Sequence, residues 1–408
     1  MLTLLLSVFG KIFGYLPVPY EILSRAVVVL IDISIFTLAR KIAKNYFFAS
    51  FALFFFVVLS IPFGVNGLWF DLIQTPFVIV SIFYFYNYSQ FRKISDLQKS
   101  FYLLIFAVFI KQQVLWLAIF YLTYLIIESK NKLKILLKNL LLPFAFFGIL
   151  FLAHITYFWR QGSLSDFFFW TIYQPLIKGS SLPGYVSLPT AKQFLITTLP
   201  FLIALYMTIL KKEKKFMFTF LALPLFLFAY PRFEYFHLIP YLATASIALG
   251  VHIKGIKFFS FKTMLFPALL SILLSIFTIH YFRVNWHKPV RFFENDILDA
   301  GKSLQEIAPK SIIYIQNGPD QLLPIADLLP PKPWADEFSW YLELGDMQQK
   351  IVSAIKSQDP RYVIYKPYGD GDKYALGSYK PDKITDYLNE NYTNLIQIND
   401  TLWLKVKR

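Results

Sequence analysis

Cysteine is absent from this 408-residue chain. That excludes a disulfide framework and any thiolate metal site. Histidine is scarce, at five residues, and none stand at ligand spacing, so the sequence carries no transition-metal signature. Charged residues make up only 16% of the chain, against roughly 25% in ordinary soluble domains. There is no glycine-rich phosphate loop, no internal repeat and no signal peptide with a cleavage site. What fills the chain is apolar and aromatic: 56% hydrophobic residues, with 45 Phe and 26 Tyr. Long apolar runs with so little charge predict a polytopic membrane protein. The net charge of +15 would raise nucleic acid as a partner in a soluble protein. Here the basic residues fall between the apolar runs, so membrane topology accounts for them and no nucleic-acid partner is implied.

The runs predict an α-helical bundle of about ten spans in residues 1–283. Residues 1–14 are too short to span and read as an interfacial helix, punctuated by Gly10 and Gly14 and ended by Pro17 and Pro19. The spans follow as Tyr20–Arg40, Tyr46–Phe63, Leu68–Tyr88, Ser100–Ile110, Val114–Ile127, Ile135–Phe158, Phe194–Leu210, Phe216–Ala229, Phe236–Val251 and Thr263–Phe282. Ser100–Ile127 is split because Lys111-Gln112-Gln113 would put three polar residues at mid-span. Charge tests the split. Alternate connections, beginning with Arg40, Lys41 and Lys44, hold seventeen basic residues, while the opposite ones hold five: Lys111, Arg160, Lys178, Lys192 and Arg232. The positive-inside rule puts the first set in the cytoplasm. The outer face then collects 62–67, the apex at Lys111, a long loop over 159–192, the turn at Arg232 and everything after Arg283. Within the first full span Glu21 and Arg25 stand i, i+4 and can pair on one helix face. Asp32 lies deeper with no evident partner.

After Phe282 the composition changes to one of short apolar runs among Pro, Asp, Lys and Gln. Residues 284–408 predict a small extracytoplasmic α/β domain with a partly parallel sheet. Its strands are Ser311–Ile315 and Arg361–Tyr365, its helices Asp346–Ser357 and Lys383–Asn391, and a hairpin joins Asn394–Ile398 to Leu402–Val406 across Asn399-Asp400. This part reads as a lid or docking module.

The densest polar stretch is Tyr230-Pro231-Arg232-Phe233-Glu234-Tyr235-Phe236-His237-Leu238-Ile239-Pro240, between two apolar runs. Ionisable groups at a membrane edge face a cavity or a headgroup. The plainer reading is a solvated hairpin with aromatic anchors.

In its order of parts the chain resembles the GT-C class of membrane glycosyltransferases, near the bacterial relatives of protein O-mannosyltransferases and aminoarabinose transferases. The stretches that carry the likeness are Leu5–Arg40, with Phe13-Gly14, Arg25 and Leu38-Ala39-Arg40; Asn66-Gly67-Leu68-Trp69-Phe70-Asp71; Ile110-Lys111-Gln112; and Arg232 to Pro240. Ser357–Ile364 and Tyr387–Tyr392 fit the C-terminal part. The resemblance spans nearly the whole chain through individually loose motifs. It implies inverting transfer of a sugar from a polyprenyl-phosphate donor to a lipid, glycan or protein acceptor at the outer face of a bacterial-type cytoplasmic membrane. An acid in the first outer loop would act as base, and basic side chains would hold the donor phosphate. It names no certain cofactor, and dependence on a divalent cation stays open. The family places a span and that acidic loop before the helix at which Met1 falls here, so the chain reads as N-terminally short and unable to catalyse transfer alone.

Candidate residues follow. Arg232 and His237 are the first choices for phosphate binding, with Lys111 behind them; Arg232 can instead snorkel at the interface, and His237 can be a packing residue. Tyr235 belongs to the same substrate-binding stretch. Asp71 can hold the acceptor or serve as a catalytic acid in place of the absent one, or be a first-turn helix residue only. Gln112 suits sugar hydroxyls. Arg160, Tyr173 and Gln174 suit sugar binding or a structural loop. The competing functions are a glycan polymerase or ligase, a transporter or flippase of envelope glycolipids, and a non-catalytic scaffold. The absence of inverted repeats counts against transport.

Overall fold

In a computed structural model of the chain, the residues described are 2–14, 17–61, 63, 68–129, 133–179, 185–211, 219–253, 272, 275–276, 278–284, 295–332, 339–342, 344–368 and 381–408. Among these residues the protein is mainly helical and carries one small mixed sheet. It divides into two compact units. One comprises 1–9, 20–171 and 187–288, and the other 10–19, 172–186 and 289–408.

The first unit is a helical assembly. Its longer described helices are α1 (Leu2–Phe13) and α2 (Pro17–Ala43), whose facing ends belong to the second unit, then α3 (Tyr46–Ser60), α4 (Phe70–Phe91), α5 (Ile94–Ile110), α6 (Leu115–Ser129), α7 (Leu133–Arg160), α8 (Leu164–Phe168), α9 (Ala191–Lys211) and α10 (Ile239–Ile253). Local chemistry sets the ends. The Asn45 side chain accepts hydrogen bonds from the Phe47 and Phe48 amides and so caps α3. Arg92 takes a left-handed conformation, and its N–H reaches back to the Tyr88 carbonyl to close α4. The helical hairpin of α4 and α5 packs around Val78, Ile82, Phe85, Phe101 and Leu104. Helix α10 runs against α3 so closely that Gly250 leaves no room for a Cβ. Among the described residues two helices, Val18–Ala43 and Leu136–Arg160, are long and apolar enough to cross a membrane. Tyr46–Ser60, Gln112–Glu128 and Ala191–Tyr206 are shorter apolar helices.

Most of the expected spans coincide with helices, and the interruption at Lys111-Gln112-Gln113 is present: α5 stops at Ile110 and a 3-10 turn over Gln112–Val114 precedes α6. The run Phe216–Ala229 is a correction. Its described part is broken into the short helix Leu223–Phe226 and a 3-10 turn at Leu227–Ala229. Leu221, Ala222, Leu225 and Phe228 are buried, so the run's apolarity reflects burial and not a continuous helix. Most of Thr263–Phe282 lies outside the described residues, as do Asn66 and Gly67.

The second unit holds the sheet, in the order β1-β2-β4-β3. Its strands are β1 (Ile313–Gln316), β2 (Tyr362–Tyr365), β3 (Tyr392–Gln397) and β4 (Trp403–Lys407). β1 pairs with β2 in parallel, and β4 is antiparallel to both β2 and β3. Helix α11 (Asn295–Ile307) joins the cluster of Ala300, Leu304, Ile313, Ile315, Ile364 and Leu404. Helices α12 (Met347–Gln358) and α13 (Asp382–Asn391) join Tyr314 and Val363 in another cluster. The alternation along β1, with Ile313 and Ile315 in one cluster and Tyr314 in the other, shows a sheet covered on both faces. The strands and helices expected here are all present, displaced by one to two residues at their ends.

Candidate functional site

Three side chains from distant parts of the first unit meet in a triangle. The Lys111 ammonium donates to Asp71 Oδ2 at 2.7 Å. His237 Nδ1 stands 3.0 Å from the same oxygen and 2.9 Å from Lys111 Nζ. Asp71 Oδ1 accepts from Gln74 Nε2 at 3.0 Å, and the Asp71 carbonyl accepts from the Thr75 hydroxyl at 2.6 Å.

Each corner is placed by a local break in helical structure. Trp69 is extended at the start of α4, which leaves Asp71 in the first helical turn. There the unpaired amides and the helix dipole favour a carboxylate. The i, i+3 and i, i+4 spacings bring Gln74 and Thr75 onto its face. Lys111 is the residue after α5, with φ −150° and ψ 124°, and this extended link turns its side chain off the helix path. His237 lies in the 3-10 turn Tyr235–Leu238 that leads into α10. Further hydrogen bonds tie these segments together. Gln113 Nε2 donates to the Tyr230 carbonyl at 2.9 Å. The Ser187 N–H donates to the Pro231 carbonyl at 3.0 Å, and the Phe233 N–H donates to the Ser187 carbonyl at 2.8 Å. The Trp69 and Phe236 rings, each beside a corner of the triangle in sequence, stack 4.3 Å apart at 7°.

Burial assigns the roles. Asp71 is 1% exposed, whereas the Lys111 and His237 side chains are 19% and 16% exposed. The carboxylate is therefore enclosed behind two groups that a ligand can reach. Proton placement gives the triangle two states. With Nδ1 unprotonated, the ammonium can donate to both Asp71 and His237, and the imidazole carries its proton on Nε2. With Nδ1 protonated, the imidazole donates to Asp71 and Nε2 becomes a proton acceptor. One cluster can thus offer a cation, a donor or a base.

The other candidates are not in this cluster. Gln112 is exposed, and its Nε2 donates to the Thr171 carbonyl at 3.2 Å. Arg160 is exposed at the end of α7. Arg232 is half-buried beside the backbone bridge to Ser187. Neither arginine has a side-chain hydrogen bond or ion pair among the described residues. Tyr235 packs its ring edge against Phe63 and Phe233 at 5.8 and 5.2 Å. Gln174 is buried in a π-helical run over Phe169–Lys178, which also contains Tyr173. Glu21 and Arg25 form their i, i+4 pair at 3.0 Å. Asp32 is half-buried, and its Oδ1 has no partner among the described residues.

Sequence reasoning missed Gln74, which orients Asp71; its signal was the i, i+3 spacing from an acid already singled out. It also missed the Trp69–Phe236 stack, for which no sequence signal exists. Among the described residues no three His, Asp or Glu side chains gather as metal ligands. No family model matches the sequence, and no curated protein matches it.

Proposed function

We propose that this chain is a polytopic membrane glycosyltransferase that moves a sugar from a polyprenyl-phosphate donor to a lipid, glycan or protein acceptor. The observation that carries the reading is the triangle of Asp71, Lys111 and His237, enclosed on one side and accessible on the other. In this reading the apolar helices span the bilayer and the buried run Phe216–Ala229 crosses it as a broken segment, so that the basic connections lie in the cytoplasm and the triangle and residues 284–408 lie on the outer face. Helix α7 supports a lipid environment, since Leu141, Leu142, Ile149, Leu152 and Trp159 are all exposed on it.

The chemistry divides among the corners. Lys111 neutralises the phosphate that leaves the sugar; two of its three protons remain when one is given to Asp71. In place of the first-loop acid that the resemblance led one to expect, and so reversing the expectation that the chain cannot act alone, His237 accepts the proton of the acceptor hydroxyl as that oxygen bonds to the anomeric carbon, and the electron pair of the broken bond departs on the phosphate. Asp71 is too enclosed to touch substrate and orients both partners. This moves Asp71 from the acid expected from sequence to a positioning residue. The stacked Trp69 and Phe236 offer an apolar wall beside the reacting groups.

The test uses the chain in proteoliposomes with a polyprenyl-phosphate sugar, following carrier binding and carrier release separately. Lys111→Met should weaken carrier binding by tenfold or more, on the order of one charge-assisted hydrogen bond. His237→Gln should slow release by about 10²–10⁴ with binding retained. Wild-type protein that neither binds nor discharges the carrier overturns the proposal, as do both variants behaving like wild type.

A further inference from the structure

The turns joining α2 to α3 and α4 to α5, with the helix ends beside them, carry cations that no acid among the described residues neutralises. Arg40, Lys41, Lys44, Lys93 and Lys99 are all exposed. None forms an ion pair among the described residues, although Asp96 stands in the first turn of α5, three residues from both Lys93 and Lys99. Arg92 is the exception, held by both oxygens of Glu128.

Arg40 lies over the Tyr46 ring at 4.2 Å, and two of the lysines share one aromatic pair. Lys41 Nζ lies 5.5 Å from the centre of the Phe83 ring. Lys99 Nζ lies 5.3 Å from the centre of the Tyr84 ring. The two rings themselves meet edge to face at 5.5 Å. One aromatic pair on α4 therefore steadies one lysine from the end of α2 and another from α5, which makes a single surface of the two turns. The Tyr84 hydroxyl has no hydrogen bond among the described residues and supplies a further donor. Tyr46, Phe47, Phe91 and Ile94 are exposed at the same turns. A purely aqueous surface would leave those apolar groups in water, and a purely apolar one would strand the ammonium groups. A headgroup region satisfies both.

We infer that this end of the helical unit is a seat for an anionic phospholipid, with its phosphate held between Lys41, Lys99 and Tyr84 and its chains against the exposed aromatics. The inference rests on the membrane reading above and adds a specific lipid class at a specific place. No bond is made or broken; recognition is electrostatic, with roughly a fivefold gain in binding per lysine near an anionic surface, the equivalent of about 1 kcal/mol.

The experiment reconstitutes the full chain in phosphatidylcholine vesicles and compares the immobilised fraction of spin-labelled phosphatidylglycerol with that of spin-labelled phosphatidylcholine. Wild-type protein should favour the anionic label, and K41Q/K99Q should bring the ratio back toward one. The charge-matched control K192Q/K302Q should leave the ratio as in wild type. Millimolar inorganic phosphate should compete poorly, because the acyl chains contribute; full displacement by phosphate would show a phosphate site without lipid character and overturn the assignment. A wild-type ratio of one, an unchanged ratio in K41Q/K99Q, or an equal fall in the control would overturn it as well. Extraction of the chain from vesicles by alkaline carbonate reads separately: release would refute the membrane reading itself, whereas retention with a ratio of one would refute only the lipid seat.

Discussion

Replacing Asp71 by Asn and Lys111 by Met together should destabilise the protein by clearly less than the sum of the two single replacements. The carboxylate is 1% exposed and its Lys111 contact measures 2.7 Å. At an effective dielectric of about 20, two unit charges at that distance attract by about 6 kcal/mol. Withdrawing each ion from water costs several kcal/mol, so the intact pair contributes little net stability. Removing one partner is different, because the other is left partly enclosed without its counter-charge, which typically costs about 3–5 kcal/mol. Lys111 keeps 19% of its side-chain exposure and can relax toward water, so the lower end, about 3 kcal/mol, is expected for Asp71→Asn. Lys111→Met should cost at least as much, because Asp71 has no comparable route to solvent. The double variant removes both charges and should lose less than the sum, with a coupling of about 2–3 kcal/mol. The assay is denaturant titration in mixed micelles for wild type, both single variants and the double. Additive losses, or single variants within about 0.5 kcal/mol of wild type, would refute the view that the pair is a mutually compensated buried charge.

Two further outcomes are expected. Gly250→Val should cost about 1–3 kcal/mol through overpacking, since even a Cβ would fall 2.5 Å from the Ala52 Cβ and 2.6 Å from the Phe48 carbonyl oxygen; an unchanged thermal midpoint would show that α3 and α10 can separate freely. In the second unit, burial first and the nearby Arg408 charge second hold the Lys405 ammonium below the ordinary lysine range. The folded state then releases this proton before the unfolded state does, so stability should rise with pH between the folded value and the ordinary lysine value near 10.4. Chemical denaturation followed by tryptophan fluorescence should show that rise in wild type and a flatter profile in Lys405→Met, and equal slopes would refute the assignment.

The second unit was the more legible of the two because its boundaries depend on neighbours in sequence. Asp359-Pro360 stops α12 where Asp359 adopts a left-handed cap, and Asn399 accepts from the Thr401 and Leu402 amides to make the hairpin turn. The register between β1 and β2, Ile313 with Tyr362 and onward, depends on packing across many residues and had no local sign. In the first unit, apolar length misled once. Phe216–Ala229 is as hydrophobic as its neighbours, but Pro224 sits at the start of a helix of only four residues there. A proline lacks the N–H that would continue a preceding helix, and its ring crowds the turn before it.

The site shows where side-chain chemistry and chain geometry part company. Arg232 was preferred to Lys111 for phosphate because a guanidinium offers a planar fork of donors. That ranking concerns the group and not its address. The backbone on both sides of Arg232 is committed to Ser187, through the Pro231 carbonyl and the Phe233 amide, which fixes the residue in an extended bridge. Five residues later the chain turns into a 3-10 segment, and it is His237 that reaches Asp71. Lys111 reaches the same oxygen because α5 ends at Ile110. Had α5 continued through Gln113, three consecutive polar side chains would have pointed in different directions around the helix, amid apolar neighbours. The three corners were each visible as ionisable groups at the edges of apolar runs. Their convergence required the ends of α4 and α5 and the start of α10 to lie side by side, and that depends on the packing of Leu72, Val114 and Leu238 in one core.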